Sequence, residues 1–267
     1  MDAIIHRIKS SRKYEHIDIP DETIKDLLQQ EFPRYKKESD AVRSAKAKLH
    51  NIIALYLGDA DYKKTTSKIE SVFSEMTAEG INRMCVEILS QHHSTRERLP
   101  YVEEFFEKIF SICGNPGSLM DLACGLNPFA LPFMDLPKRC SYHAYDIHRP
   151  RITLINRFFT LSGREPLAEV RDVLIHPPRI QADAAFIFKE AHRMEKRRAG
   201  ASRELVRALN ARFIFLSLPN RSLDGRRDLS GRMRSLAEDI LEGIDSVIQE
   251  AGFPGETLYW TEKRYVN

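Results

Sequence analysis

At Gly114-Asn115-Pro116-Gly117 the hydrophobic pattern of this 267-residue chain changes its period. Ahead of that point apolar residues recur every three or four positions, the repeat of helices with one buried face. Beyond it, short apolar runs alternate with helical stretches: Ser118–Ala123, Tyr142–Ile147, Leu167–Asp172, Asp183–Phe188 and Arg212–Leu218. That alternation predicts parallel strands joined by crossover helices. The last segment, Ser246–Val266, differs and reads as two strands about a Phe253-Pro254-Gly255 turn. The expectation is an all-helical domain over residues 1–112, then an α/β domain over 113–267 whose parallel sheet ends in an antiparallel hairpin.

Within the helical part, Pro20-Asp21-Glu22 predicts a helix start, and Ile24, Leu27 and Leu28 form its apolar stripe. Ser39-Asp40 are read as caps of the next helix, which carries Val42, Ala45, Leu49, Ile52, Ile53 and Tyr56 at helical spacing. On another of its faces Arg43, Lys46 and His50 recur, so one side packs and another presents charge. A third helix, Tyr101 to Cys113, buries Val102, Phe105, Phe106, Ile109 and Phe110.

Net charge is only +3, but its distribution is uneven. Lys189 to Arg234 holds 13 Lys or Arg against five acids, and Arg34 to Lys48 holds six against two. Two basic segments in a nearly neutral chain suit a polyanion-binding face, though solvated helix faces would read the same way. No run of 18 apolar residues and no signal-peptide pattern is present, so a cytoplasmic protein is expected. Cys85, Cys113, Cys124 and Cys140 form no CxxC pair; buried reduced thiols are expected, with neither a zinc site nor any other metal.

The segment that carries chemistry is Asp121-Leu122-Ala123-Cys124-Gly125-Leu126-Asn127-Pro128, directly after the first strand. A ligand over the carboxyl end of that strand needs small residues so that backbone can approach it, and Ala123 and Gly125 supply them. Asn127 tolerates the left-handed conformation that glycine favours. The loop is not G-x-G-x-x-G and offers no helix N-terminus to a pyrophosphate, which weighs against NAD. Asp146 ends the second strand, where its carboxylate can accept from both ribose hydroxyls. Asp172 ends the third, placed for an adenine amino group, with the Val173 amide beside it for a ring nitrogen. Three acids at three successive strand ends suit an adenosyl ligand without phosphates, although any one of them could simply cap a loop.

Phe188-Lys189-Glu190-Ala191-His192 follows the fourth strand and contains no Asn/Asp-Pro-Pro-aromatic clamp for an exocyclic amine. No Pro-Cys or Thr-Cys dipeptide offers a thiolate to a pyrimidine ring. A target with its own lone pair, such as guanine N7, needs neither device. It needs in-line positioning against a methylsulfonium.

These residues resemble the Arm/Rmt family of aminoglycoside-resistance 16S ribosomal RNA methyltransferases, which modify guanine N7 in the decoding site. The resemblance rests on Leu49-His50 through Tyr56, His92-His93-Ser94-Thr95-Arg96-Glu97-Arg98-Leu99, Asp121 to Pro128, and Ser217-Leu218-Pro219-Asn220-Arg221-Ser222-Leu223-Asp224-Gly225-Arg226, with Asp146-Ile147-His148 and Ile187-Phe188-Lys189 between them. It implies a class I, Rossmann-like methyltransferase sheet and S-adenosylmethionine as cofactor. It also implies a cofactor site drawn from Tyr56, His92, His93, Ser94, Arg98, Asp121, Ala123, Gly125, Asp146, Ile147, Asp172, Val173 and Phe188. Arg98 would pair the methionine carboxylate. Arg221 would position the target nucleotide, and no general base is expected. Lys36, Lys37, Arg43, Lys46, His50, Arg197, Arg198, Arg221, Arg226 and Arg227 would meet 16S rRNA in the 30S subunit, which a monomer would engage.

Two positions depart from the family pattern. Glu190-Ala191-His192 replaces an apolar Leu-Leu-Pro-like stretch, and Asp224 replaces a glycine. They keep open the alternative of an RNA-binding protein with the fold but without methyl transfer. A small-molecule methyltransferase is a third reading, and it leaves the basic segments without a role.

Overall fold

The computed structural model describes all residues except 16, 55–60, 223, 245–247 and 264–267. Helices α1 (Asp2–Lys9), α2 (Asp21–Glu31) and α3 (Glu38–Ile53) come first. As expected, α2 starts directly after Pro20 with Asp21 and Glu22 in its first turn. Helix α3 begins earlier than Ser39-Asp40 predicted: Lys37 precedes it without a side-chain cap, and Asp40 instead pairs with Arg43 at 3.0 Å. Ile5, Ile8, Ile24, Leu27, Leu28, Val42, Ala45 and Leu49 give these three helices a core of their own.

Helices α4 (Tyr62–Glu75), α5 (Ala78–Leu89), α6 (His93–Arg98) and α7 (Val102–Cys113) follow, a 3-10 turn at Leu99–Tyr101 taking the place of the first turn expected for α7. Their apolar faces do not form a separate core. Ile69, Met84, Ile88, Phe105, Phe106 and Ile109 join Leu119, Ala144, Phe186 and Phe215 of the sheet in one cluster. Among the described residues the hydrophobic interior therefore changes hands between α3 and α4: the apolar faces of α4, α5 and α7 share one cluster with the sheet, with Ile155 and Phe158, and with Phe129 and Met134 in the turn after β1.

The sheet contains β1 (Ser118–Leu122), β2 (Ser141–Asp146), β3 (Ala168–Val170), β4 (Gln181–Phe188), β5 (Asn210–Pro219), β6 (Gln249–Phe253) and β7 (Glu256–Glu262). Their order is β3-β2-β1-β4-β5-β7-β6. β1 to β5 are parallel, while β7 runs antiparallel to both β5 and β6. Alternate strand residues serve two faces: Leu119 and Phe186 meet the first cluster, and Met120, Leu122, Ala185 and Ile187 meet a second, with Leu205, Val206 and Ala237. The second face is covered by α9 (Ala191–Arg197), α10 (Ala201–Ala208) and α11 (Ser230–Leu241); α8 (Arg149–Leu161) packs on the first.

The strand order reverses between β1 and β4, and ligands of open α/β sheets bind in the crevice beyond the carboxyl ends at such a point. Cys85, Cys124 and Cys140 are buried thiols, while Cys113 is partly open to solvent. No helix among the described residues is long and apolar enough to cross a membrane.

Candidate active site

The loop after β1 turns sharply at the reversal. Ala123 (φ 52°) and Gly125 (φ 55°) both take the left-handed backbone, which costs a residue with a Cβ about 1–2 kcal/mol. Cys124 N ties the loop to Tyr145 O at 2.9 Å. Asn127, which tolerates that conformation, does not adopt it. It opens a 3-10 turn and buries its amide, with Nδ2 donating to Asp121 Oδ2 at 2.8 Å and Oδ1 accepting from Arg98 Nη1 at 3.1 Å.

Asp146 closes β2 facing this loop. Its Oδ2 accepts from Gly125 N at 3.0 Å and its Oδ1 from His148 N at 2.9 Å, while Arg151 Nη1 lies 3.6 Å from Oδ2. A carboxylate has about four acceptor positions, so this anchoring is compatible with ribose hydroxyls as further donors. A Cβ on Gly125 would stand 3.7 Å from Arg151 Nη1 on a backbone that disfavours it. Bare backbone beside a strand-end carboxylate fits an adenosyl group.

The other two acids are placed differently. Asp121 is one residue short of the strand end and only 1% exposed, and its Oδ2 accepts from Tyr142 Oη at 2.7 Å and from Asn127. Burial pushes its carboxyl up to about 7. It braces the loop from below instead of lining the cleft. Asp172 lies two residues past β3, and its Oδ2 accepts from Thr23 Oγ1 and Arg197 Nη1, both at 2.7 Å. Its Oδ1 accepts from Leu174 N at 3.2 Å. The carboxylate expected to meet adenine is therefore engaged by α2 and α9. Val173 is buried against the second cluster, and Ile147 packs on the core of α1–α3. Tyr56 lies outside the described residues.

Arg98 departs most from expectation. Rather than facing a ligand, it is 2% exposed and forms a bidentate pair with Glu256, Nε to Oε1 at 2.8 Å and Nη2 to Oε2 at 2.7 Å. Its guanidinium lies over the rings of Phe105 and Phe188, 4.3 and 4.7 Å from their centroids. Burial alone would raise the Glu256 pKa, but the charges of Arg98 and Lys189 overcome it and hold the carboxyl below its ordinary value. Glu256 escaped the sequence reading because it is 158 residues from Arg98. Its one signal is an acid opening the final strand ahead of the Leu258-Tyr259-Trp260 run.

The rest of α6 reaches the carboxyl end of β4. His92 Nδ1 and Ser94 Oγ are 2.9 Å apart, His93 lies 3.3 Å from Glu97, and Glu97 reaches Lys189 Nζ at 2.7 Å. All three of His92, His93 and Ser94 keep some exposure. Lys189, with φ 54°, turns the chain out of β4, and Glu190 occupies the N-cap position of α9.

Glu190 has Arg193 as its ion-pair neighbour, at 3.8 Å, and its side chain keeps 24% of its surface open. Burial raises its carboxyl to about 7, with Arg193 opposing that shift and Asp146 adding to it. The folded state thus binds a proton here between pH 4.5 and about 7 that the unfolded chain has released, so stability falls as pH rises through that window. Glu190→Gln is expected to raise stability by about 2 kcal/mol at pH 8, the open quarter moderating a shift of this size, and to change nothing at pH 4. Denaturant unfolding at the two pH values measures this. Beside it, His192 is driven down to about 4 by burial and by Arg193, Lys196, Lys189 and Arg232, so its imidazole is neutral at physiological pH.

The loop after β5 is closed by its own polar groups. Leu229 N donates to Asn220 O and Ser222 N to Arg227 O. Asp224, the second departure from the family pattern, accepts from Ser222 Oγ and from Arg226 N and so organises the turn itself. Arg221, Arg226 and Arg227 are displayed exposed on this loop. Lys36, Lys37 and Arg43 are exposed on the α2–α3 side, with Lys46 and His50 half-buried. Arg197, expected to meet RNA, is instead buried between Asp172 and Asp26, 2.6 Å from the latter. Arg198 pairs with Glu204 at 2.8 Å. Arg203, Arg212 and Arg234 likewise pair with acids of β6, β7 and α11 or its end, so folding trims the basic excess of this segment.

A family model described as "Ribosomal RNA methyltransferase (FmrO)" matches residues 10–248. The chain is 32% identical over 230 residues to a 16S rRNA (guanine(1405)-N(7))-methyltransferase of Frankia casuarinae, covering 85% of this chain and 80% of that protein. It is 32% identical over 219 residues to the enzyme of the same description from Serratia marcescens, covering 82% and 80%. Among solved structures, the 16S rRNA methyltransferase RmtF in complex with S-adenosyl-L-homocysteine superposes with a TM-score of 0.80 at 28% identity over 98% of both chains.

Proposed function

From the premise that this chain belongs to the ribosomal RNA methyltransferase (FmrO) family, we propose that it transfers a methyl group from S-adenosylmethionine to N7 of a guanine in the decoding site of 16S rRNA. The proposed substrate is the 30S subunit, met by a monomer in the cytoplasm, and the proposed consequence is aminoglycoside resistance. The observation that carries the reading is the left-handed Ala123-Cys124-Gly125 turn held open against the Asp146 carboxylate.

When bound, the cofactor supplies a methyl group on a sulfonium. Asp146, Ala123 and Gly125 would hold its adenosyl half, while His92, His93, Ser94 and Phe188 would border the side nearer β4. Guanine N7 carries a lone pair and no proton, so no side chain of the protein has to act as a base. The protein's contribution is positioning and exclusion of water. Arg221 and Arg226, on the exposed loop after β5, are the groups proposed to grip the target nucleotide through its phosphates. Residues 1–112 and the basic loop residues are proposed to dock on the subunit.

The deciding experiment incubates 30S subunits with the protein and methyl donor and maps methylated guanines. Modification of a decoding-site guanine at N7 is expected; methylation elsewhere, or none in the presence of bound cofactor, overturns the reading. The second reading, an RNA-binding protein without transferase activity, is favoured by one observation, that Glu256 occupies the Arg98 guanidinium. It predicts no measurable S-adenosylhomocysteine binding by calorimetry.

Subunit binding should be strongly salt-dependent, since each phosphate contact releases counterions. Arg43→Ala and Lys46→Ala are expected to weaken 30S binding severalfold and flatten that dependence while leaving S-adenosylhomocysteine affinity unchanged. Filter binding over a salt series checks it. A variant with wild-type slope removes that residue from the interface.

A further inference from the structure

The first three helices do more than carry basic side chains: they close against the loops after β2 and β3, the second of which is tied to the proposed adenosyl site where Arg171 N donates to Asp146 O at 2.9 Å. After β2, Ile147 packs into the α1–α3 core, Arg149 N donates to Asp18 O at 3.0 Å, and the Arg149 side chain lies 3.3 Å from the Asp18 carboxylate. After β3, Asp172 is held by Thr23 Oγ1 from α2, and the exposed His176 lies 3.1 Å from Glu22. Arg197 completes the junction. One of its terminal nitrogens bonds Asp172 and the other bonds Asp26 of α2, while Lys48 of α3 donates to the Arg197 carbonyl at 3.0 Å. Thr23, Asp172 and Arg197 are all at least nine-tenths buried. An unbroken polar chain therefore runs from α3, the helix presenting Arg43 and Lys46, through Lys48 and Arg197 to Asp172 beside the cleft.

We infer that Thr23 and Asp26 are positioning residues for the cofactor site: by holding Asp172 and Arg197 they set the loop after β3, so that docking of the α1–α3 unit and binding of the adenosyl group are thermodynamically linked. The inference rests on the cofactor reading of Asp146 given above. Neither residue touches the reacting atoms. Their effect reaches the site through Asp172 and its hydrogen bond to Leu174 N. Linkage is reciprocal, so a subunit that stabilises the docked unit tightens cofactor binding by the same factor that cofactor tightens subunit binding.

The test measures S-adenosylhomocysteine affinity by calorimetry on the full chain. Thr23→Val, which keeps shape and removes the donor, is expected to weaken binding by about fivefold or more, with Thr23→Ser restoring it. A purely structural loss would lower the unfolding midpoint of Thr23→Val and leave the affinity of the folded protein unchanged. Hydrogen exchange on the unmodified protein gives a readout independent of any variant: α2 amides should gain protection when S-adenosylhomocysteine is added. Folded Thr23→Val with unchanged affinity, or α2 amides indifferent to the ligand, overturns the inference. Asp146→Ala separates the two levels. If it abolishes binding while Thr23→Val does not, only the coupling fails; if Asp146→Ala binds normally, the cofactor reading beneath it fails.

Discussion

Glu256→Gln is expected to cost about 3–5 kcal/mol of stability, the scale on which removing one partner leaves a buried charge uncompensated. The substitution preserves shape but withdraws the counter-charge from Arg98, whose side chain is 3% exposed and enclosed by Phe105, Phe188, Asn127 and Ser217. Water cannot take the place of the lost carboxylate there. For a chain of this size the melting temperature should fall by about 10 °C. The pH dependence has a definite sign. A carboxyl held below its unfolded value adds stability above that value and loses it as pH falls through the folded one. Wild type should therefore approach the variant in acid and separate from it toward neutrality. Replacing both partners, Arg98→Met with Glu256→Leu, should recover most of the loss, because neither member of the pair is then left buried without its counter-charge. A Glu256→Gln protein as stable as wild type would show that solvent reaches Arg98 and that the pair is not what joins α6 to β7.

That pair also marks where the sequence stops being legible. Parallel strands, the final hairpin and the stripe of α2 could be read because each is written in local periodicity and in turn residues such as Pro254-Gly255. The Ala123–Gly125 turn could be read because it needs small residues where backbone must pass close. Side-chain destinations could not. Arg98, Asp172 and Arg197 are each satisfied by a residue far away in sequence (Glu256, Thr23 and Asp26), and nothing in their own neighbourhoods distinguishes a buried partner from a ligand. Charge counting overstates the basic excess for the same reason: within the run from Lys189 to Arg234, Arg203, Arg234 and Arg212 meet Glu242, Glu250 and Glu262. Arg151, packed under the loop beside Asp146, carried one overlooked sign: an arginine on the apolar face of α8, in line with Ile155 and Phe158.

Asp146→Ala should then be the most damaging single change to cofactor binding, with S-adenosylhomocysteine affinity lower by about 100-fold. Two hydrogen bonds from ribose hydroxyls to a charged acceptor are worth about 1.5–3 kcal/mol each, and losing about 3 kcal/mol in all corresponds to that factor. The same substitution releases Gly125 N and His148 N, which Asp146 holds at 3.0 and 2.9 Å, so the strained turn loses the anchor that keeps it open. Asp146→Asn should rescue little. Its amide has one acceptor oxygen, and its NH2 would have to face one of those two backbone donors. The two contributions separate kinetically: losing ribose contacts raises the cofactor KM with the 30S KM unchanged, whereas collapse of the turn also lowers kcat by displacing the methyl donor from its line of attack. Arg151→Met, which leaves the carboxylate in place while removing the cation 3.6 Å from it, should reproduce the second effect without the first. Affinity surviving in Asp146→Ala would mean that the adenosyl group lies elsewhere along the sheet edge, and that the left-handed turn serves the fold alone.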